Sequence, residues 1–118
     1  MFDLNGNNPR KEILAQYKER EIIGGVYIIR NMLSNRLLLD ASADIKSIRN
    51  RFEFARKTGS CVVPRLQEDW SEHGSASFSF EVLEELKRGE NQTDAQFKAD
   101  LDLLREIWSE KLSNEKLY

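Results

Sequence analysis

Few residues of the 118-residue chain have the type and spacing that an active site requires. Cys61 is the only cysteine, and a lone thiol is usually a packed residue. His73 is the only histidine and stands before Gly74, where we expect it to stabilise a helix C-terminus. Glu84 and Glu85 are adjacent, so on a strand they would point to opposite faces. No zinc-ligand spacing, glycine-rich phosphate loop or serine-nucleophile motif is present.

One tyrosine lies where it could act beside a phosphate. Residues 24–42 read GGVYIIRNMLSNRLLLDAS, two apolar runs with a polar break between them. Tyr27 falls in the first run, where a tyrosine is commonly a packed aromatic with its hydroxyl at the surface. Two interpretations of the segment follow. It contributes apolar side chains to a core, or it also places the Tyr27 phenol in an active site.

Positive charge is concentrated in one segment of the chain. Residues 44–58 contain five basic side chains and two acids, whereas residues 61–92 contain three basic side chains and seven acids. The net charge of -2 argues against general attraction to nucleic acid. A positive element in an acidic chain either faces water or contacts phosphates. The candidates for phosphate contact are Arg30, Arg36, Lys46, Arg49 and Arg51.

Hydrophobic periodicity and capping residues place these side chains on seven elements. The predicted helices cover residues 9–20, 44–59, 64–74 and 93–108, and the predicted strands cover residues 26–30, 37–41 and 78–82. The element order is α-β-β-α-α-β-α. A hairpin followed by a third strand favours an α+β fold, with a three-stranded antiparallel sheet flanked by helices.

Length and composition indicate a single globular domain. The chain is 40% hydrophobic and 32% charged, and no apolar run is long enough to span a bilayer. The first residues lack the apolar run of a secretory signal, and one cysteine forms no internal disulfide. We therefore expect a cytoplasmic protein that does not associate with membranes.

Several short segments follow one another in a recognisable order. They are Gly25-Val26-Tyr27, a hairpin ending in Ala41-Ser42, a helix with Asn50-Arg51, then QEDW at residues 67–70, EHG at 72–74, FSFEVLE at 78–84, and Trp108 and Leu112. In this order and spacing the chain resembles the GIY-YIG nuclease domain, and its early helix is similar to that of short stand-alone bacterial members. The resemblance implies metal-dependent cleavage of DNA. It also divides the single domain into an N-terminal helical extension (1–23), a GIY-YIG-like core (24–112) and a C-terminal tail (113–118).

The resemblance assigns the nuclease chemistry to five polar positions, and one of them keeps its residue. Tyr27 matches the tyrosine that lies near the attacking water and accepts its proton. The second tyrosine falls on Leu38, the arginine on Ile48 and the helix histidine on Phe52. The metal-binding glutamate falls on Arg105, whose guanidinium would exclude a divalent cation. Aliphatic side chains cannot offset charge on a scissile phosphate.

Two functions remain open at this stage. The first, which we prefer, is a catalytically impaired GIY-YIG-like module that binds nucleic acid or a protein partner and needs no cofactor. The second is an active endonuclease whose site is rebuilt from Tyr27, Asp40, Arg49 and Glu106. In that case Tyr27 and Arg49 would be catalytic, while Asp40, at the motif glycine, and Glu106 would hold Mg²⁺ or Mn²⁺. The two hypotheses differ in whether these four residues share one cleft.

Overall fold

The sheet and three helices predicted from the sequence are present. The computed structural model describes residues 22–61 and 63–118, so the helix predicted over residues 9–20 lies outside the described residues. The strands are Ile23–Asn31 (β1), Leu37–Ser42 (β2) and Phe78–Lys87 (β3), and the α-helices are Ile45–Thr58 (α1), Gln67–His73 (α2) and Asp94–Lys111 (α3). Short 3-10 helices at Pro64–Leu66 and Ser75–Ser77 precede α2 and β3. The predicted α+β class is therefore confirmed.

β1 is the central strand of the sheet. The strand order is β2-β1-β3, and both pairs are antiparallel. β1 and β3 are longer than the apolar pattern predicted, because the glycines at the start of β1 also pair with β3. A Cβ at Gly25 would lie 2.3 Å from the Glu84 carbonyl oxygen, so a side chain there would push the two strands apart. The pairing thus depends on a residue that ordinarily weakens a strand.

The connection between β1 and β2 is a tight turn. The Asn31 amide donates to the Arg36 carbonyl at 2.9 Å, and the Asn35 amide donates to the Asn31 carbonyl at 2.7 Å. Asn35 has φ 62, a left-handed conformation that asparagine adopts more readily than most residues. The predicted hairpin over this polar break is therefore present.

The caps predicted for the first and last of these helices are present, whereas α2 begins at Gln67 after a 3-10 turn at Pro64 and α3 continues past Trp108 to Lys111. The Asp44 side chain accepts from the Ser47 amide at the start of α1, and Gly59 ends that helix with φ 76. Thr93 and Gln96 form a reciprocal capping box at the start of α3. No helix in the described part of the chain has the length and apolar character needed to cross a membrane.

Helices cover both faces of the sheet. Side chains of β1 alternate between the two faces. On the face of Tyr27 and Ile29, α1 and α2 contribute Phe52 and Trp70 to a buried cluster. On the other face lie Gly24, Val26 and Ile28 of β1, and a Cβ on Gly24 would touch the Phe97 ring of α3. Burying each large apolar side chain contributes roughly 1.5 to 3 kcal/mol to the free energy of unfolding.

The last residues of the chain lie along β2. The Leu37 amide donates to the Lys116 carbonyl, and the Tyr118 amide donates to the Leu37 carbonyl, each at 2.8 Å. Leu117 forms an isolated parallel bridge with Leu37. This pairing covers the beginning of the edge strand β2 and holds the Tyr118 side chain against the sheet.

Candidate functional site

Tyr27 lies in the middle of β1 and faces a largely apolar cavity under α1. The tyrosine is 6% exposed and is paired with Asp40 on one side and Val82 on the other. Its ring stacks on Phe80 with 5.0 Å between ring centroids. The cavity has a volume of ≈ 150 Å³, and its lining includes Arg51 and Trp70. A single aromatic ring or a few water molecules would fill this volume.

The surroundings of Tyr27 make its phenol harder to ionise. Burial, together with the negative charge of Asp40, raises the pKa of Tyr27 to about 12, and the Arg51 guanidinium opposes the shift. A general base is most efficient when its pKa lies near the working pH. The shift moves the pKa of Tyr27 further from neutral pH than that of a free tyrosine.

The positions around Tyr27 that the family resemblance assigns to polar groups are apolar and packed. Leu38 is 3% exposed and Phe52 is 4% exposed. Ile48 packs against the same cluster. The Phe52 ring meets Phe80 at 5.6 Å and Trp70 at 6.1 Å between centroids, so it is a central part of the core. None of these side chains can polarise a phosphate or transfer a proton.

The two carboxylates predicted to hold a metal line different depressions. Asp40 lies on β2 and lines a groove against α3 that also contains Asp102 and Arg105. Its Oδ1 already accepts from the Ala41 amide at 2.8 Å. Glu106 lines a second depression, with Tyr118, and Arg105 borders both depressions. A guanidinium shared by these depressions opposes cation binding in either of them.

The arginines predicted as catalytic or nucleic-acid-binding fall in different places. Arg49 is exposed on α1 and lies 5.6 Å above the Phe80 ring, beside residues of β3. Arg51 is the α1 cation that reaches the Tyr27 cavity. Lys46 is also exposed on α1. The quartet Tyr27, Asp40, Arg49 and Glu106 thus lines four different depressions, although Tyr27 and Asp40 are neighbours across the β1–β2 pair.

The other two predicted phosphate contacts lie away from α1. Arg36 stacks over the Tyr118 ring at 4.1 Å and is 3.7 Å from an Asp69 carboxylate oxygen. Strand alternation places Arg30 on the face of β1 opposite Tyr27. Arg36 therefore has a structural role already, and Lys46, Arg49 and Arg51 are the predicted phosphate contacts that lie on α1.

A buried polar network that sequence reasoning missed joins β1, α2 and the C-terminal residues. The Asn31 side chain is fully buried, and its Nδ2 lies 3.0 Å from His73 Nδ1, 3.1 Å from the Tyr118 hydroxyl and 3.4 Å from Asp69. Its Oδ1 accepts from the Leu33 amide at 3.0 Å. A buried amide with partners on both atoms fixes the relative positions of the elements it joins.

The same network shifts two pKa values. The Tyr118 hydroxyl donates to Asp69 at 2.6 Å, and this hydrogen bond is the main reason that the pKa of Asp69 is lowered. Burial, and then the hydrogen bond to Asp69, raises the pKa of Tyr118. Asp69, Glu72 and His73 have potential metal-ligand atoms within 4.8 Å of one another. Because Asp69 already accepts from Tyr118 and pairs with Arg36, we interpret this group as structural.

The sequence gives one indication of this network, which is that Asn31 and His73 lie at the ends of a strand and a helix. Asn31 ends β1 and His73 ends α2, where polar side chains commonly serve as caps or turn residues. Their contact joins residues 42 positions apart, and the contact of Asn31 with Tyr118 spans 87 positions. No local pattern encodes such pairs.

Comparison with solved structures identifies the fold. The chain is similar to the catalytic domain of intron endonuclease I-TevI, a GIY-YIG nuclease, whose structure was solved as a glutamate-to-alanine mutant. The TM-score is 0.56 and the sequence identity is 22%, and the match covers 78% of this chain and 86% of that chain. A second structure, of the catalytic domain of homing endonuclease I-TevI, gives a TM-score of 0.51 and 22% identity, over 76% and 88% of the two chains. No protein-family model and no curated protein matches the sequence. The likeness shows that the chain has the GIY-YIG nuclease fold, which confirms the fold resemblance seen in the sequence.

Proposed function

We propose that this chain is a nuclease-fold module that binds nucleic acid through α1 and no longer cleaves it. The observation that carries the proposal is the charge of α1, which has five basic side chains and one acid. Lys46, Arg49 and Arg51 are exposed, so their charges are available to phosphates. The fold is that of a DNA endonuclease domain, which favours DNA as the partner, but fold alone does not establish function.

The loss of cleavage is supported by the packing around Tyr27. Phosphodiester hydrolysis needs groups that stabilise the charge developing on the phosphate, and it commonly uses a metal ion. The side chains of Leu38 and Phe52 belong to the apolar core, and Ile48 packs against it. Burial raises the pKa of Tyr27 to about 12, so its phenol ionises less readily than that of a free tyrosine. These features support binding without chemistry.

Asp40 and Glu106, the two carboxylates predicted to hold a divalent metal, do not line a common depression. Mg²⁺ and Mn²⁺ require several oxygen ligands around a single point. Asp40 and Glu106 line separate depressions, and Arg105 stands at the position that the resemblance assigns to the metal-binding glutamate. No step of the proposed function therefore passes through a metal ion.

One observation favours the alternative of an active endonuclease. Asp40 lies directly opposite Tyr27 in the sheet, and the Arg51 side chain reaches the same cavity as the phenol. A carboxylate, a phenol and a guanidinium therefore lie near one another, although Arg51 takes the place expected for Arg49. A protein partner in the cytoplasm is the remaining alternative if nucleic acid does not bind.

The binding proposal is tested by fluorescence anisotropy with labelled duplex and branched DNA at increasing salt. Affinity should fall steeply with salt, because bound phosphates release counterions. Combined substitution of Lys46, Arg49 and Arg51 by glutamine should weaken binding. It should also reduce the slope of log binding constant against log salt concentration, by about 0.9 for each duplex phosphate that the variant no longer neutralises.

A matched control removes the same amount of charge elsewhere. Lys98, Lys111 and Lys116 lie on α3 and in the C-terminal segment, and all three are exposed. Their combined substitution by glutamine should leave the slope unchanged. Absence of binding by the wild-type chain at low salt would exclude nucleic acid and leave a protein partner. An equal effect of the two triple variants would show that α1 is not the interface.

A further inference from the structure

The outer surface of α1 carries an aromatic side chain that the core does not use. Phe54 is 66% exposed. The ring-to-ring contacts in the described residues join Tyr27, Phe52, Trp70, Phe78 and Phe80, and they do not include Phe54. A single exposed apolar residue is ordinary on a protein surface, so exposure alone assigns no role.

The neighbours of Phe54 distinguish its position. Residues three and four positions apart lie side by side on a helix, which places Asn50, Arg51, Lys57 and Thr58 around Phe54. All four neighbours are exposed. Two cations, one amide and one hydroxyl therefore surround the aromatic side chain, on the helix with the highest density of positive charge in the described chain.

We propose that Phe54 is a stacking platform for an unpaired nucleobase, while Arg51 and Lys57 contact the flanking phosphates. This inference rests on the proposed function and specifies its substrate class, which is single-stranded or locally unpaired nucleic acid. Aromatic side chains interleaved with cations bind single strands, because every base presents a π face and every nucleotide carries a phosphate. In a duplex the bases stack on one another and offer no free face to Phe54.

Charge complementarity favours this occupant over an apolar protein surface. An apolar partner would have to bury Arg51 and Lys57 together with Phe54, and unpaired charges are costly to bury. A nucleic-acid strand instead supplies an anion to each cation. Arg51 also lines the cavity of Tyr27, so its side chain lies between that cavity and the surface of Phe54.

The test compares a labelled oligothymidylate with a duplex of the same length by fluorescence anisotropy at low salt. Phe54→Ala and Phe54→Leu should each weaken binding of the oligothymidylate by about 5- to 150-fold, the loss expected for one stacked base. Phe54→Trp should retain or strengthen that binding. Duplex binding should be the same in all three variants and in the wild-type chain.

The control is Leu103→Ala, which removes an apolar side chain of α3 that is 58% exposed. It should leave binding of both probes unchanged. The stacking role would be overturned if Phe54→Ala or Phe54→Leu bound the oligothymidylate as tightly as the wild-type chain. That result would leave the α1 charge interface intact. Failure of the wild-type chain to bind either probe would overturn the stacking role and the proposed function together.

Discussion

Replacing Tyr27 by phenylalanine should change how the stability of the protein depends on alkaline pH. The pKa of Tyr27 is raised from 10.0 to about 12 in the folded chain, mainly by burial. The folded state therefore holds this proton more tightly than the unfolded state does. The resulting contribution to stability is fully present below pH 10.0 and is lost as the pH rises to about 12. Phenylalanine keeps the ring packed on Phe80 and removes the titrating group.

The size of the effect follows from the shift. Two pKa units correspond to ~2.7 kcal/mol of unfolding free energy, an upper value because solvent near the exposed Asp40 screens part of the shift. Urea unfolding of both chains at a series of pH values measures it. Near neutral pH the two chains should have similar stability, and the wild-type chain should lose more stability than Tyr27→Phe above pH 10.0. A stability difference that does not change with pH would refute the claim that burial controls this phenol.

Three other substitutions test the packing. Gly25→Ala should lower the free energy of unfolding in urea by about 1–3 kcal/mol or more, because its Cβ would lie 2.3 Å from the Glu84 carbonyl oxygen. Gly89→Ala is the control and should be nearly neutral, because its Cβ would have its nearest contact at 3.7 Å. Tyr118→Phe should raise the pKa of Asp69 toward its usual range in a carboxyl NMR titration, and an unchanged value would mean that the hydroxyl does not stabilise the carboxylate. Phe52→Ala should cost about 3–5 kcal/mol in the same unfolding assay, and a loss typical of a surface residue would contradict its place in the core.

The elements could be predicted from the sequence because their signals are local. The capping residues Asp44 and Thr93 and the terminating Gly59 each act within one turn of their helix. The alternation of Phe78, Phe80 and Val82 marks the start of β3, but the strand continues to Lys87. The later residues lack that alternation and are held by backbone pairing with the first residues of β1.

The arrangement of the site could be predicted only in part. The sequence predicted apolar residues near Tyr27, and the structure places Leu38, Ile48 and Phe52 in or against the same cluster. It did not indicate that Arg51, rather than Arg49, reaches the Tyr27 cavity, since this depends on the rotation of α1 against the sheet. The role of Tyr118 was also missed, because its contacts with β1 and α2 are distant in sequence.

A cleavage assay decides whether the chain only binds DNA or also cuts it. Plasmid and branched DNA are incubated with the purified chain and Mg²⁺ or Mn²⁺, in parallel with the Tyr27→Phe variant. We predict that the DNA is bound and stays uncut by both chains, because Leu38, Ile48 and Phe52 beside Tyr27 cannot stabilise charge on a phosphate. Clean cutting by the wild-type chain that disappears in Tyr27→Phe would contradict the account and establish an active nuclease.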